Sequence, residues 1–250
     1  MIKSGIFVGM MVALCSAGAA AGGTFPAEGL SGVFVSAGGG QISVEGAAGG
    51  SVEVSPLKAD GVCEVRAKVV GKELRITKQK GKDGAVSDCL IKLPAKLALK
   101  VKMGAGDLEV KGLSGPVAIH KTVGKTSLSG LTGDLKVDMV SGSLSGTINP
   151  SELSITGTGG RVDLSGLGCG VSVQRVTGGL ALAWASPPSS EVRIKSAGGK
   201  VRLAFPADAK ISTELKTKEN GRIHDEFGKG AGTLVAVTLS GGSVDVVKAK

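Results

Sequence analysis

The chain has 250 residues, with 30 Lys and Arg against 21 Asp and Glu, a net charge of +9, and 42 glycines. Apolar residues make up 42%, yet there are five Phe, one Trp and no Tyr. So much glycine would suit a collagen-like chain or a flexible linker, but the apolar residues alternate along most of the sequence, so a packed core of Val, Leu and Ile is expected instead.

In chain order, Lys3 is followed by an apolar run from Ile6 to Leu14 and by small residues from Ser16 to Gly23. This pattern predicts a cleaved secretory signal over residues 1–21, because the apolar run is too short to span a bilayer. Lipidation at Cys15 would want a small preceding residue, and Leu14 stands there. No later run reaches the ~18 apolar residues of a spanning helix. The expectation is an exported protein of the periplasm, outer-membrane surface or extracellular space, with residues 24–250 forming a single domain.

Short alternating segments open that domain. Gln41–Val44 and Ser51–Val54 read as the two strands of one coil, and longer strands are expected over 62–70, 73–78, 89–93 and 97–103. Residues 58–102 hold twelve Lys and Arg against five acids. One reading is a surface for anionic envelope polymers or cell-surface glycans, with Lys68, Lys72, Arg75, Lys78, Lys80 and Lys82 as its candidates. The other is edge protection, in which lysines at the end of a strand stack deter end-to-end pairing. Specific nucleic-acid recognition is not expected, since base-stacking aromatics are scarce. Cys63 and Cys89 lie in neighbouring strand-like segments and are candidates for a disulfide in an oxidising compartment, which leaves Cys169 unpaired at a Gly168–Gly170 turn.

A repeat governs the centre. Glycines at 106, 115, 124, 133 and 142 are nine apart, and each starts a unit with alternating apolar residues, closed by a third such as Leu113, Leu131, Val140, Leu167 or Val176. Period two marks a strand with one buried face, and recurrent glycine marks a bend. Steps of eighteen stack like with like. Leu108, Thr126, Leu144 and Val162 form one column, Val117, Leu135, Leu153 and Val171 a second, and Ile119, Val137, Ile155 and Val173 a third. Such columns predict an all-β, parallel β-solenoid with coils of about 18–22 residues and two main strands per coil, most regular over 106–178. An antiparallel β-sandwich is the alternative architecture. Extra residues near Pro187–Ser190 and Lys216–Asn220 are expected to bulge from the stack.

Units such as Gly106-Asp-Leu-Glu-Val-Lys-Gly-Leu-Ser-Gly and Gly124-Lys-Thr-Ser-Leu-Ser-Gly-Leu-Thr-Gly-Asp-Leu-Lys-Val, with Ile91-Lys-Leu-Pro before and Gly242-Ser-Val-Asp-Val at the end, carry a family likeness. Over roughly residues 30–250 the chain resembles the bacterial putative-adhesin β-strand-repeat family, whose function is unknown. The resemblance implies an exported β-solenoid with an adhesive role and brings no catalytic residues.

No catalytic constellation or cofactor motif stands out, so a non-catalytic structural or adhesive protein is expected, without cofactor or metal. A polysaccharide lyase or hydrolase on the same scaffold is the alternative, and would need acids such as Glu109, Asp138 and Asp163 to meet in one groove. His120 lies eighteen residues before Asp138 and should stack beside it. His224, Asp225 and Glu226 are consecutive and should alternate in direction rather than converge on a metal. Gly159-Gly160-Arg161-Val162-Asp163 falls short of a calcium nonapeptide by its third glycine.

Overall fold

Period-two alternation with a glycine corner every nine residues produces strands that fold back upon one another, and the result is a two-sheet parallel β-solenoid. The computed structural model describes residues 20–79, 87–157, 159–196, 198–218 and 221–249. The expected signal segment therefore lies almost wholly outside the described residues, as do Lys80 and Lys82.

The described strands, numbered in chain order, form two twelve-stranded sheets. Sheet A runs β1 (Ala20–Ala21), β6 (Glu64–Val70), β7 (Glu73–Lys78), β3 (Gly32–Ala37), β9 (Ala98–Met103), β11 (Val117–Lys121), β13 (Leu135–Met139), β15 (Leu153–Thr156), β17 (Val171–Val176), β19 (Val192–Ser196), β23 (Thr233–Leu239), β21 (Ile211–Thr217). Sheet B runs β2 (Gly23–Pro26), β5 (Ser51–Pro56), β8 (Cys89–Pro94), β4 (Ile42–Ala47), β10 (Leu108–Lys111), β12 (Lys125–Ser129), β14 (Ser143–Thr147), β16 (Val162–Leu167), β18 (Leu180–Trp184), β20 (Lys200–Phe205), β24 (Ser243–Lys248), β22 (Arg222–Asp225). Each coil gives one strand to each sheet. Among the described residues no helix is long and apolar enough to cross a membrane.

The eighteen-residue columns are the register of the ladders. Leu108 pairs with Thr126, Thr126 with Leu144 and Leu144 with Val162, while Ile119, Val137, Ile155 and Val173 succeed one another in sheet A. The inward side chains meet between the sheets as one continuous core. Removing each from water contributes ~1.5–3 kcal/mol, so coils hold together chiefly through their neighbours.

The two corners of a coil differ. Gly124 has φ +115°, and a Cβ there would lie 2.1 Å from the Gly106 carbonyl of the coil before. Gly142 stands in the same relation to Gly124, again at 2.1 Å. The opposite corner, at Gly133, has no left-handed backbone, but a Cβ would still meet the Gly115 carbonyl at 2.4 Å. Glycine recurs every nine residues because both corners let one backbone rest on the next.

The corner geometry also corrects the third apolar position. Strands of sheet A point three residues inward (Leu135, Val137, Met139), so Val140 falls outside the core and is 67% exposed. In the regular coils the sheet B strands β10 and β12 point two residues inward and bury a corner residue, Leu113 and Leu131, and Leu167 and Val176, the last residues of β16 and β17, are buried as expected.

Strict coil order fails at both ends. Ile42–Val44 and Val52–Val54 do not form one coil, because both lie in sheet B and β5 pairs antiparallel with β8. The first coil is instead β3 with β4. It lies between β7/β8 on one side and β9/β10 on the other. Beyond β7/β8, β5 and β6 pair antiparallel, and β1 and β2 finish the edge in the same sense. At the far end β23/β24, last in sequence, lies between β19/β20 and β21/β22. The longer spacing from Gly199 to Gly221 thus comes from a coil that skips one place. Lys216 and Thr217 belong to β21 rather than to a loop, whereas Pro187–Ser190 forms no strand but stays tied to the stack, with Pro188 buried and the Ser189 amide donating to the Gly168 carbonyl at 3.0 Å.

Candidate functional site

The outward positions of the two sheets differ in character. In sheet B the central strands present hydroxyls (Ser127, Ser129, Ser145, Thr147, Ser165), with Thr147 and Ser165 hydrogen-bonded at 3.0 Å. Nearer its N-terminal end the charges alternate by register, Glu53, Lys92, Glu45 and Lys111, and so offset one another. A depression of about 340 Å³ over Leu180 and Ala181 is edged by Arg161, Lys200 and Arg202. Two of these cations are already paired, Arg161 with Asp163 at 2.9 Å and Lys200 with Asp245 at 3.3 Å.

Sheet A is different over its N-terminal half. Lys68 pairs in register with Arg75, Arg75 with Phe34, Phe34 with Lys100, Lys100 with Ala118 and Ala118 with Lys136. These residues form one outward column perpendicular to the strands. Beside it, Arg66 and Lys102 add charge in the column that also holds Thr77, Ser36, His120 and Asp138. Among the described residues Lys68, Lys100, Lys102 and Lys136 have no ion-pair partner, whereas Arg75 is held by Glu73 at 2.7 Å. Phe34 is half-buried, with the Arg75 guanidinium 6.0 Å and the Lys100 ammonium 5.8 Å from its ring centre.

A groove of about 550 Å³ runs beside this column across β7, β3, β9, β11, β13 and β15, and its lining takes in Lys100, Ala118 and Lys136 of the column but not Arg75 or Phe34. Its floor is shallow because Gly32, Ala98 and Ala118 carry almost no side chain. Lys100 and Lys136 edge one side, and Glu73, Asp134 and Glu152 line the other. A basic rim facing an acidic one can accommodate anions on one flank and hydrogen-bond donors on the other.

The candidate basic residues are distributed unevenly about this site. Lys68 and Arg75 lie on it, and Lys72 caps the β6–β7 turn, where Ser31 donates to its carbonyl. Lys78 turns away. Its ammonium donates to the Gly39 carbonyl at 2.6 Å, and burial pushes its pKa down. Lys136 lies outside the basic run 58–102, yet it falls thirty-six residues, two coils, after Lys100.

The other singled-out residues have local partners. Cys63 and Cys89 are bridged, with their Cα atoms 5.1 Å apart, and tie the entry of β6 to the start of β8. Cys169 is buried and free, and burial pushes its thiol pKa up. His120 Nδ1 lies 3.5 Å from Asp138, both half exposed. His224 pairs with Glu226 at 3.4 Å, while Asp225 points the other way and accepts from Thr213 and from the Phe227 and Gly228 amides. Burial pushes the Asp225 carboxyl up, but these hydrogen bonds outweigh it and leave it below its ordinary value. Among the described residues no three His, Cys, Asp or Glu side chains gather as a metal site.

In fold the chain belongs with two-sheet β-solenoids. It is similar to a putative adhesin from Bacteroides fragilis NCTC 9343 at 12% identity and a TM-score of 0.51, covering 91% of this chain and 96% of that one. A putative cell adhesion protein from Clostridium sporogenes ATCC 15579 aligns at 14% identity and a TM-score of 0.28, covering 91% and 99%. No protein-family profile and no curated protein matches the chain.

Proposed function

We propose that this protein is an exported, non-catalytic adhesive module that holds anionic polymers of the bacterial envelope or surface. The observation that carries the reading is the outward column of sheet A, in which unpaired lysines border a groove while sheet B offsets its charges. A flat array of this kind binds through many weak contacts, and its affinity falls as salt rises. The adhesin description of the Bacteroides fragilis protein, extended here to this chain, agrees with the reading, as does a disulfide suited to an oxidising compartment.

The test is binding of purified protein to lipopolysaccharide, teichoic acid and acidic capsule fractions at two salt concentrations. Reversing Lys68, Lys100 and Lys136 to Glu should abolish binding, and reversing Lys92 and Arg202 on sheet B should leave it intact. Equal loss from both sets would sink the reading. One observation favours a second reading, a carbohydrate-active enzyme, because Asp134 and Glu152 both line the groove. Shortening of a bound glycan on long incubation, abolished in Asp134→Asn or Glu152→Gln, would establish it. The adhesive reading expects no shortening.

A further inference from the structure

The spacing of charge along the groove narrows the kind of polymer it can hold. In the outward column the cations do not fall on every strand. From β7 onward Arg75, Lys100 on β9 and Lys136 on β13 alternate with Phe34 on β3 and Ala118 on β11, while Lys68 on β6 stands directly beside Arg75 and outside the groove. Neighbouring strands are ~4.8 Å apart, so successive cations recur at about 10 Å along the solenoid axis. An extended β-linked hexose is about as long as one strand spacing, and a disaccharide therefore about as long as two.

We propose that the groove takes a linear acidic polysaccharide bearing one anionic group per disaccharide, laid along the solenoid axis across β7 to β15. This inference rests on the adhesive reading above and adds the ligand class and its register. Every second sugar presents its carboxylate or sulfate to Arg75, Lys100 or Lys136. The sugar between Lys100 and Lys136 lies over Ala118, where the floor is open, and just beyond the groove's lining Phe34 offers its ring between Arg75 and Lys100. Across the groove Glu73, Asp134 and Glu152 accept hydrogen bonds from sugar hydroxyls and repel an anion placed on the wrong side. That repulsion fixes which edge of the polymer faces the lysines. A polymer charged on every ring would also set an anion over Ala118, where the column carries no cation of its own, whereas at Phe34 the Arg75 and Lys100 groups stand 6.0 and 5.8 Å from the ring centre. Arg75 contributes least, since Glu73 already holds it, so Lys100 and Lys136 carry the discrimination.

The experiment compares equilibrium binding of four probes at fixed salt: hyaluronan, charged on alternate sugars; polygalacturonate, charged on every sugar; neutral dextran; and double-stranded DNA. Hyaluronan should bind at least about tenfold more tightly than polygalacturonate, and Lys100→Ala or Lys136→Ala should each weaken it about tenfold, the size expected for a charge-assisted hydrogen bond. Ala118→Lys, which puts a cation on the intervening strand, should shift preference toward polygalacturonate. Circular dichroism of each variant checks that the exposed substitutions leave the fold unchanged. Equal or better binding of polygalacturonate, with no shift in Ala118→Lys, overturns the register while the adhesive reading stands. Tighter binding of DNA than of either polysaccharide overturns the ligand class. Failure to bind any anionic probe overturns both proposals.

Discussion

Lys121 occupies a place where the stack calls for an apolar side chain. It lies between Met103 and Met139 in the inward column of sheet A and is 3% exposed. Its ammonium donates to the Lys125 carbonyl and to Thr126 Oγ1, and Thr126 is itself the polar member of the column Leu108, Leu144, Val162. The two departures from the pattern therefore satisfy each other. Burial lowers the Lys121 pKa to about 8, with Asp107 opposing the shift. The unfolded chain then holds the extra proton between about 8 and the ordinary 10.5, so stability should rise with pH across that window, by a few kcal/mol. Lys121→Met with Thr126→Leu should remove this dependence and raise stability at pH 7 by ~1–4 kcal/mol, as buried charges replaced by packed apolar groups do. Denaturant titrations at pH 7 and pH 10 check both outcomes. Gly124→Ala should cost several kcal/mol, because its Cβ would strike the Gly106 carbonyl. Gly241→Ala, where a Cβ meets nothing within 4 Å, is the control.

At the scale of strands, what the sequence discloses is what the stack repeats. Val117, Leu135, Leu153 and Val171 could be placed in one column because each coil makes the same contacts as the next. Lys100 and Lys136, two coils apart, were readable by the same arithmetic. Neighbour order at the ends was not, since parallel strands of similar pattern pair equally well in any order, and only connecting lengths and local contacts choose. Nor did the alternation in Ser51–Val54 reveal that β5 runs antiparallel, because period two is the same in either direction. The burial of Lys121 is not legible in the sequence because a long cationic side chain closing an alternating run has the pattern of an exposed strand end. The Cys63–Cys89 bridge lies where order and direction both change, joining the residue before β6 of sheet A to the first residue of β8 in sheet B. Replacing both cysteines with Ser should lower stability by ~3 kcal/mol, the loop-closure contribution for a bridge of this separation. The loss should be local. Amide exchange should quicken in β5 to β8 and remain slow in β11 to β17.

For the whole molecule, the two faces of one core carry different surfaces. Sheet B offers hydroxyls and offset charges, while sheet A concentrates unpaired lysines beside its groove. Neither needs a moving part, because the coils set the spacing of every outward side chain at the same time as they bury the inward ones.

The displaced terminal coils also determine how the protein would bear a mechanical load. In a simple stack the last coil has one neighbour, so tension on the chain end unzips coils one at a time. Here β23/β24 has a coil on each side, and a pull on the C-terminus must shear two ladders in each sheet before the strand comes free. Toward the N-terminus only β1 and β2 peel readily, and β3/β4 is again gripped from both sides. Single-molecule pulling between the ends should give an early, low-force release at β1 and β2, then one high-force rupture rather than a staircase of equal steps. A module anchored at one end and loaded at the other would hold fast until it gave way all at once.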